Sequence, residues 1–217
     1  MWDLPKRLFH WLIMLVVGFS WYSAETGMMD WHYRSGIVAV ALLAFRLIWG
    51  FAGGSTARFS HFLRSPQQVW RHVRGAAAPS AESGHIPPGH NPLGGYSVVA
   101  MLAVLLLQVA SGLFAVDVDG LESGPLSYLI SFDQGRIAAE IHEVTFAMVQ
   151  ALVVLHVLAI LYYRVRGRRL LMPMISGRDP QIGADAAELR GGGLIPAVVV
   201  MFAASILAWW ISAGAPL

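Results

Sequence analysis

Four histidines stand inside or at the edge of apolar stretches: His10, His32, His142 and His156. The last two bracket "HEVTFAMVQALVVLH", residues 142–156. At about 100° and 1.5 Å per residue, fourteen residues return His156 to within about 40° of His142 and carry it about 21 Å along a helix axis. One helix face therefore offers an imidazole near each end. Imidazoles that face one another from separate helices are what a six-coordinate haem requires: each Nε2 takes an axial position and the porphyrin fills the gap. With no open iron position, such a centre transfers electrons rather than activating oxygen.

The chain that positions these groups has 217 residues, 56% of them hydrophobic and 13% charged, with a mean hydropathy of +0.58. That is too apolar for a soluble domain. A bilayer core about 30 Å thick takes roughly 20 apolar residues per helix. Five windows qualify: Leu8–Ala24, Tyr33–Ala52, Tyr96–Val116, Ile141–Tyr163 and Leu194–Ala213. No alternating pattern suggests a barrel, so the spans are expected to be helices that satisfy their own backbone. The first window is preceded by Lys6 and Arg7 as in a signal peptide, but Tyr22 in "WYSAE" occupies a position where cleavage wants a small residue. It is read as a retained span.

Basic residues collect on the cytoplasmic side of short loops. Lys6, Arg7, Arg58, Arg64, Arg71, Arg74, Arg164, Arg166, Arg168, Arg169, Arg178 and Arg190 fall in the N-terminus, the loop 53–95 and the stretch 164–193. Those parts are expected inside. The other connections carry Glu25, Asp30, Asp117, Asp119, Glu122, Asp133 and Glu140 against Arg34 and Arg136, and are expected outside. His10 and His156 then share the inner level, and His32 and His142 the outer. Singly, each histidine is as well explained by a helix-packing hydrogen bond; four at two matched levels favour two haems. Gly18, Gly36 and Gly112 leave room for a bulky group.

The chain has no cysteine, which excludes thiolate-held clusters, covalent haem attachment, disulfides and zinc–cysteine sites. "HEVTF" begins like a zinc-protease motif, but position 146 is Phe, so the second histidine is missing and Glu143 is left to orient an imidazole or meet the outer surface. Arg46, in the inner half of the second span, either pairs with a propionate of the inner haem or snorkels to the interface; Arg7, beside His10, has the same option. "SPQQVWRHVRG" reads as a short interfacial helix. His61, His72, His85 and His90 read as solvated loop residues, with His90 close enough to the third span to serve an inner quinone pocket. The pI near 9.2 reflects the inner arginines, and nothing further supports nucleic-acid binding.

"WDLPKRLFHW", "FRLIWGFAGGSTARFSHF", "GHNPLGGYSVVAMLAVLLLQVASGLFA", "IHEVTFAMVQALVVLHV" and "MPMISG", in this order, resemble successive blocks of the bacterial cytochrome b-561 family, which includes the cytochrome b subunits of nickel-iron hydrogenases. The resemblance covers residues 2–177. It implies a four-helix di-haem bundle with ligands on the first, second and fourth helices, at positions matching His10, His32, His142 and His156. It also implies electron transfer in a bacterial inner membrane between the quinone pool and a periplasmic redox partner, a c-type cytochrome or hydrogenase-like protein. The chain would then be an electron-transfer subunit or a component of a quinone-linked oxidoreductase. One branch of the family passes electrons from superoxide to ubiquinone; the acidic exterior here favours a cationic partner instead. A cofactor-free transporter or scaffold, with the histidines moving protons or packing helices, is the remaining alternative.

The expected architecture is an all-α integral membrane protein: a four-helix di-haem cytochrome b bundle over residues 1–175, a cytoplasmic linker 176–193 and a fifth transmembrane helix over 194–217. Trp209 and Trp210 place the C-terminus at the outer interface. The connection "DVDGLESGPLSYLISFDQGR" is expected to cover the outer haem.

Overall fold

The computed structural model describes residues 3–55, 57–63, 65, 67, 70, 92–167, 170–177 and 191–215. Its helices are α1 (Leu4–Glu25), α2 (Met29–Ala52), α3 (Phe59–Phe62), α4 (Pro92–Phe114), α5 (Phe132–Val165), α6 (Leu171–Ser176) and α7 (Leu194–Ser212), with a 3-10 turn at Ser127–Leu129. Five of them, α1, α2, α4, α5 and α7, are long and apolar enough to cross a membrane, and the protein is an all-α integral membrane protein. Most of the interfacial helix expected over 65–75, the histidines at 72, 85 and 90, and most of the linker lie outside the described residues.

Local chemistry sets the helix starts. Pro5 opens α1 after Asp3, whose backbone is extended, and Pro92 opens α4; a missing N–H costs nothing in a first turn. α5 begins with a capping box, Ser131 accepting from the Gln134 amide while the Gln134 side chain accepts from the Ser131 amide. This cap lengthens the helix beyond its expected start at Ile141. Residues 132–140 hold Asp133, Arg136 and Glu140, which makes them too polar to read as membrane span, yet they form two further helical turns above the apolar core.

Packing pairs α1 with α2, α4 with α5, and α2 with α7. α2 is the central helix. Leu42, Leu43, Phe45 and Trp49 on α2 form the core with Phe9 and Ile13 of α1, Leu102 of α4, and Ala197 and Ala204 of α7. Ala197, Ala204 and Ala208 bury one stripe of α7, and such small side chains let two backbones approach closely in lipid, where there is no hydrophobic force between helices. The rest of α7, including Val198, Val199 and Phe202, is exposed, as a lipid-facing surface should be.

Both ends of α7 are tied down. Tyr33 donates to the Ser212 carbonyl at 3.0 Å and Tyr128 to that of Gly214. At the opposite end Gly192 lies under the Trp49 ring and the Gly54 amide, and a Cβ there would collide with both. Trp49 is fully buried, stacks on Phe45 with ring centroids 5.7 Å apart and donates Nε1–H to Asp3 Oδ2 at 2.8 Å. The connection after α4 folds back on itself: Val116 and Ser123 form an isolated antiparallel bridge, and Arg136 of α5 donates to the Val116 carbonyl at 2.8 Å.

Truncating Trp49 removes a core ring and one hydrogen-bond donor to Asp3. Trp49→Ala should therefore destabilise the protein by about 3–5 kcal/mol, seen as a lower melting temperature in detergent, while Val198→Ala on the exposed face stays within about 0.5 kcal/mol. Equal melting of W49A and wild type would contradict this core.

Candidate metal centres

The turn between α1 and α2 and the upper third of α5 bring His32 and His142 together, with ring centroids 6.1 Å apart and planes at 88°. His32 Nδ1 lies 2.9 Å from the Ser20 carbonyl oxygen and 3.1 Å from Ser20 Oγ. A carbonyl only accepts, so the ring proton sits on Nδ1 and Nε2 keeps its lone pair. His142 is held the same way. Its Nδ1–H donates to the Gln108 carbonyl of α4 at 2.8 Å, with Ser111 Oγ at 3.4 Å. Its Nε2 accepts from the Gln108 side-chain amide at 3.0 Å, and Thr145 holds that amide by donating to its oxygen. For Nε2 to bind a metal only the amide has to turn; the Nδ1 contact that fixes the ring stays in place.

Gly112 makes the His142 position possible. A Cβ on Gly112 would lie 2.8 Å from His142 Cε1 and 2.9 Å from Nδ1, so any side chain would push the ring off its carbonyl. Gly36, one turn after His32, has open space where its Cβ would be. It lines a cavity of about 470 Å³ that also touches His32, His142 and apolar residues such as Val16 and Leu105. Cofactor sites of roughly 300–1,000 Å³ with mainly apolar walls are the common kind.

At the other end α1 and α5 bring His10 and His156 together, ring centroids 6.3 Å apart and planes at 59°. Beside them is a set of buried charges. Lys6 is 7% exposed and Arg46 2%. Asp3, Lys6 and Arg46 are near enough to one another to interact electrostatically, and Lys6 also reaches His10. Lys6, one of the basic residues of the N-terminal segment, is buried in the first turns of α1. Arg46 stands over the Phe59 ring, 4.8 Å from its centroid, and neither of its terminal nitrogens has a hydrogen-bond partner. It does not snorkel to solvent.

Arg7 donates Nη1–H to the Ile175 carbonyl at 2.5 Å and packs on Gly177, whose φ of +77° and tight fit against the guanidinium both favour glycine. Trp11 donates to the Met174 carbonyl at 3.3 Å. These two contacts clamp α6 against the start of α1, just below His10.

The residues present fit an iron porphyrin. The centroid separations of 6.3 and 6.1 Å leave room for one metal ion between each pair of imidazoles, so His10 with His156 and His32 with His142 would be the residues to hold the iron of a haem and supply it with nitrogen ligands. Among the described residues no group of three or more His, Asp or Glu gathers in one place; the four histidines come in twos. Glu143 lines the cavity beside His142, and Phe146 rests against Trp21.

Ser20, Gln108, Ser111 and Thr145 hold the outer imidazoles, and a polar residue inside an apolar span is the sequence signal that points to each of them. Gly112→Ala should displace His142 and lower the haem-to-protein ratio or broaden the visible band of one centre. Gly18→Ala, with no neighbour within 4 Å of the added methyl, should leave the spectrum unchanged. Indistinguishable spectra for the two variants would contradict this role of Gly112.

Neither a curated protein nor a solved structure matches this chain. The sequence model of prokaryotic cytochrome b561 matches residues 1–177, which takes in α1 to α6 and every histidine described above and leaves α7 outside. That family implies haem b and electron transfer in a bacterial membrane. The chain belongs to the prokaryotic cytochrome b561 family.

Proposed function

We propose that this protein carries electrons through two haem b groups between a periplasmic redox protein and membrane quinone. The observation that carries the reading is the pair of facing imidazoles at each end of α5, 6.3 and 6.1 Å apart and separated by about 21 Å of helix. His10 and His156 would hold the iron nearer the cytoplasm, His32 and His142 the one nearer the periplasm. Arg46, with two unpartnered nitrogens, suits a propionate of the inner group, and Arg7 clamps the adjoining turn. A haem in each position supplies a one-electron couple that needs no open coordination site. Placed at two depths, the couples span most of the apolar layer.

The protein's own part is to fix and insulate. Ser20 and Gln108 carbonyls set the tautomer of the outer imidazoles, so that Nε2 faces the cavity. The deeper wall of the cavity is apolar, with Val16, Val17, Leu43 and Leu105. The basic loops 53–95 and 164–193 put the N-terminus in the cytoplasm and the C-terminus, after α7, in the periplasm. Partner choice follows from charge: Glu25, Asp117, Glu122 and Glu143 line the outer cavity. These carboxylates favour a cationic carrier such as a basic c-type cytochrome and repel superoxide.

The test is haem content per chain combined with single His→Ala variants. Two haems are expected, with His10→Ala and His156→Ala removing the same spectral component and His32→Ala and His142→Ala the other. One haem per chain, or variants that sort differently, would overturn the assignment. In stopped flow, superoxide should reduce the oxidised protein slowly, whereas a reduced basic c-type cytochrome should do so quickly and lose rate as salt rises. The opposite order would favour superoxide as the electron source.

A further inference from the structure

Helix α7 holds no histidine, yet its last residues reach the neighbours of both outer imidazoles. The backbone N–H groups of Ala213, Gly214 and Ala215 turn back to the carbonyls of Trp209, Ile211 and Trp210, and Gly214 takes a left-handed φ of +81°, a common way for a helix to close its final turn. The Ser212 and Gly214 carbonyls then lie beyond the helix ladder and accept from elsewhere. Tyr33 of α2 donates to Ser212 at 3.0 Å, and Tyr128 in the 3-10 turn donates to Gly214. Gly214 also packs on that turn, since a Cβ there would lie 3.7 Å from the Tyr128 ring and 3.9 Å from the Pro125 carbonyl.

Each of these partners leads to one histidine. Tyr33 follows His32 in the chain and lines the same cavity. Pro125 belongs to the return loop after α4, which lines that cavity with Ser123 and Gly124. Two backbone bonds lay this loop on the end of α4, the Gly124 amide donating to Ala115 at 2.8 Å and the Leu126 amide to Leu113 at 2.9 Å. The fit is close: a Cβ on Gly124 would collide with the carbonyls of Gly112 and Leu113. Gly112 is the residue whose missing side chain admits the His142 ring. Contacts therefore run without a break from the end of α7 through Pro125, Gly124 and Gly112 to His142, and by a shorter route from Ser212 through Tyr33 to His32.

We propose that the C-terminal end of α7 is a positioning device for the outer metal centre, in which Tyr33 and Tyr128, bound to its two terminal carbonyls, keep the return loop on α4 and hold His32 and His142 at their spacing. Either tether alone is one hydrogen bond at an exposed edge. Together they act through a helix that is fixed to α2 by its buried Ala197, Ala204 and Ala208 stripe, so the start of α2 and the return loop cannot separate without breaking one of them. The inner pair stands at the other end of α5, and the effect is confined to the outer one. This rests on the two-haem reading, and it gives α7 a role in that reading.

The test uses the purified full-length holoprotein with Tyr33→Phe and Tyr128→Phe, singly and together, haem content being measured on each sample. Both substitutions keep the ring and delete only the donor. Hydrogen exchange read by mass spectrometry should show the amides of residues 123–129 opening faster, by roughly two- to tenfold for each lost bond, while those of α6 at the opposite end keep the wild-type rate. In the oxidised double variant the electron paramagnetic resonance signal of one low-spin iron should shift or broaden and that of the other stay unchanged, because such a signal depends on how the two axial imidazoles are oriented. Unchanged exchange, unchanged signals, or an equal change in both signals would each overturn the proposal. Wild-type protein with fewer than two haems would defeat the two-haem reading instead, and the exchange rates would still report whether α7 holds the loop.

Discussion

The structure turns on one requirement: an imidazole on α5 has to meet an imidazole on another helix across a gap of about 6 Å, once at each end. That gap is too wide for the rings to bond one another and leaves room for a metal ion between them. Most of the other features can be read as ways of holding it. α2, at the centre of the core, carries His32 at one end and Arg46 and Trp49 towards the other. α4 carries no histidine, yet it fixes His142 through the Gln108 carbonyl and the Gly112 clearance. α6, clamped by Arg7 and Trp11, closes the bundle under His10.

Helix α7 lies beyond the matched family region and has neither a histidine nor a charge. Its small-residue stripe and tethers at both ends make it an integral wall of α2 rather than a loosely attached anchor. Charge is distributed unevenly. Lys6 is buried within electrostatic reach of His10, and carboxylates line the outer cavity.

Much of this was legible in the sequence. The five spans follow from length and apolarity, which fix helices in a membrane without reference to tertiary contacts. The spacing of His142 and His156 fixes a shared face, and loop charge puts His10 and His32 at two levels. The start of α5 was hidden because Asp133, Arg136 and Glu140 look like loop, whereas a capping box and two solvated turns extend the helix above the bilayer. The partners of His32 and His142 were hidden for a deeper reason. Both are backbone carbonyls, and every residue has one, so residue type says nothing about which will be used. Lys6 looked like one more topogenic charge. Only the packing of Asp3, Trp49 and Arg46 around it shows that it is buried.

The most direct test of the paired imidazoles is low-temperature electron paramagnetic resonance of the fully oxidised protein, integrated against chain concentration. Facing histidines at both ends of α5 predict low-spin ferric signals alone, amounting to two irons per chain. A substantial high-spin ferric signal, showing an iron that lacks one of its axial imidazoles, would contradict the account.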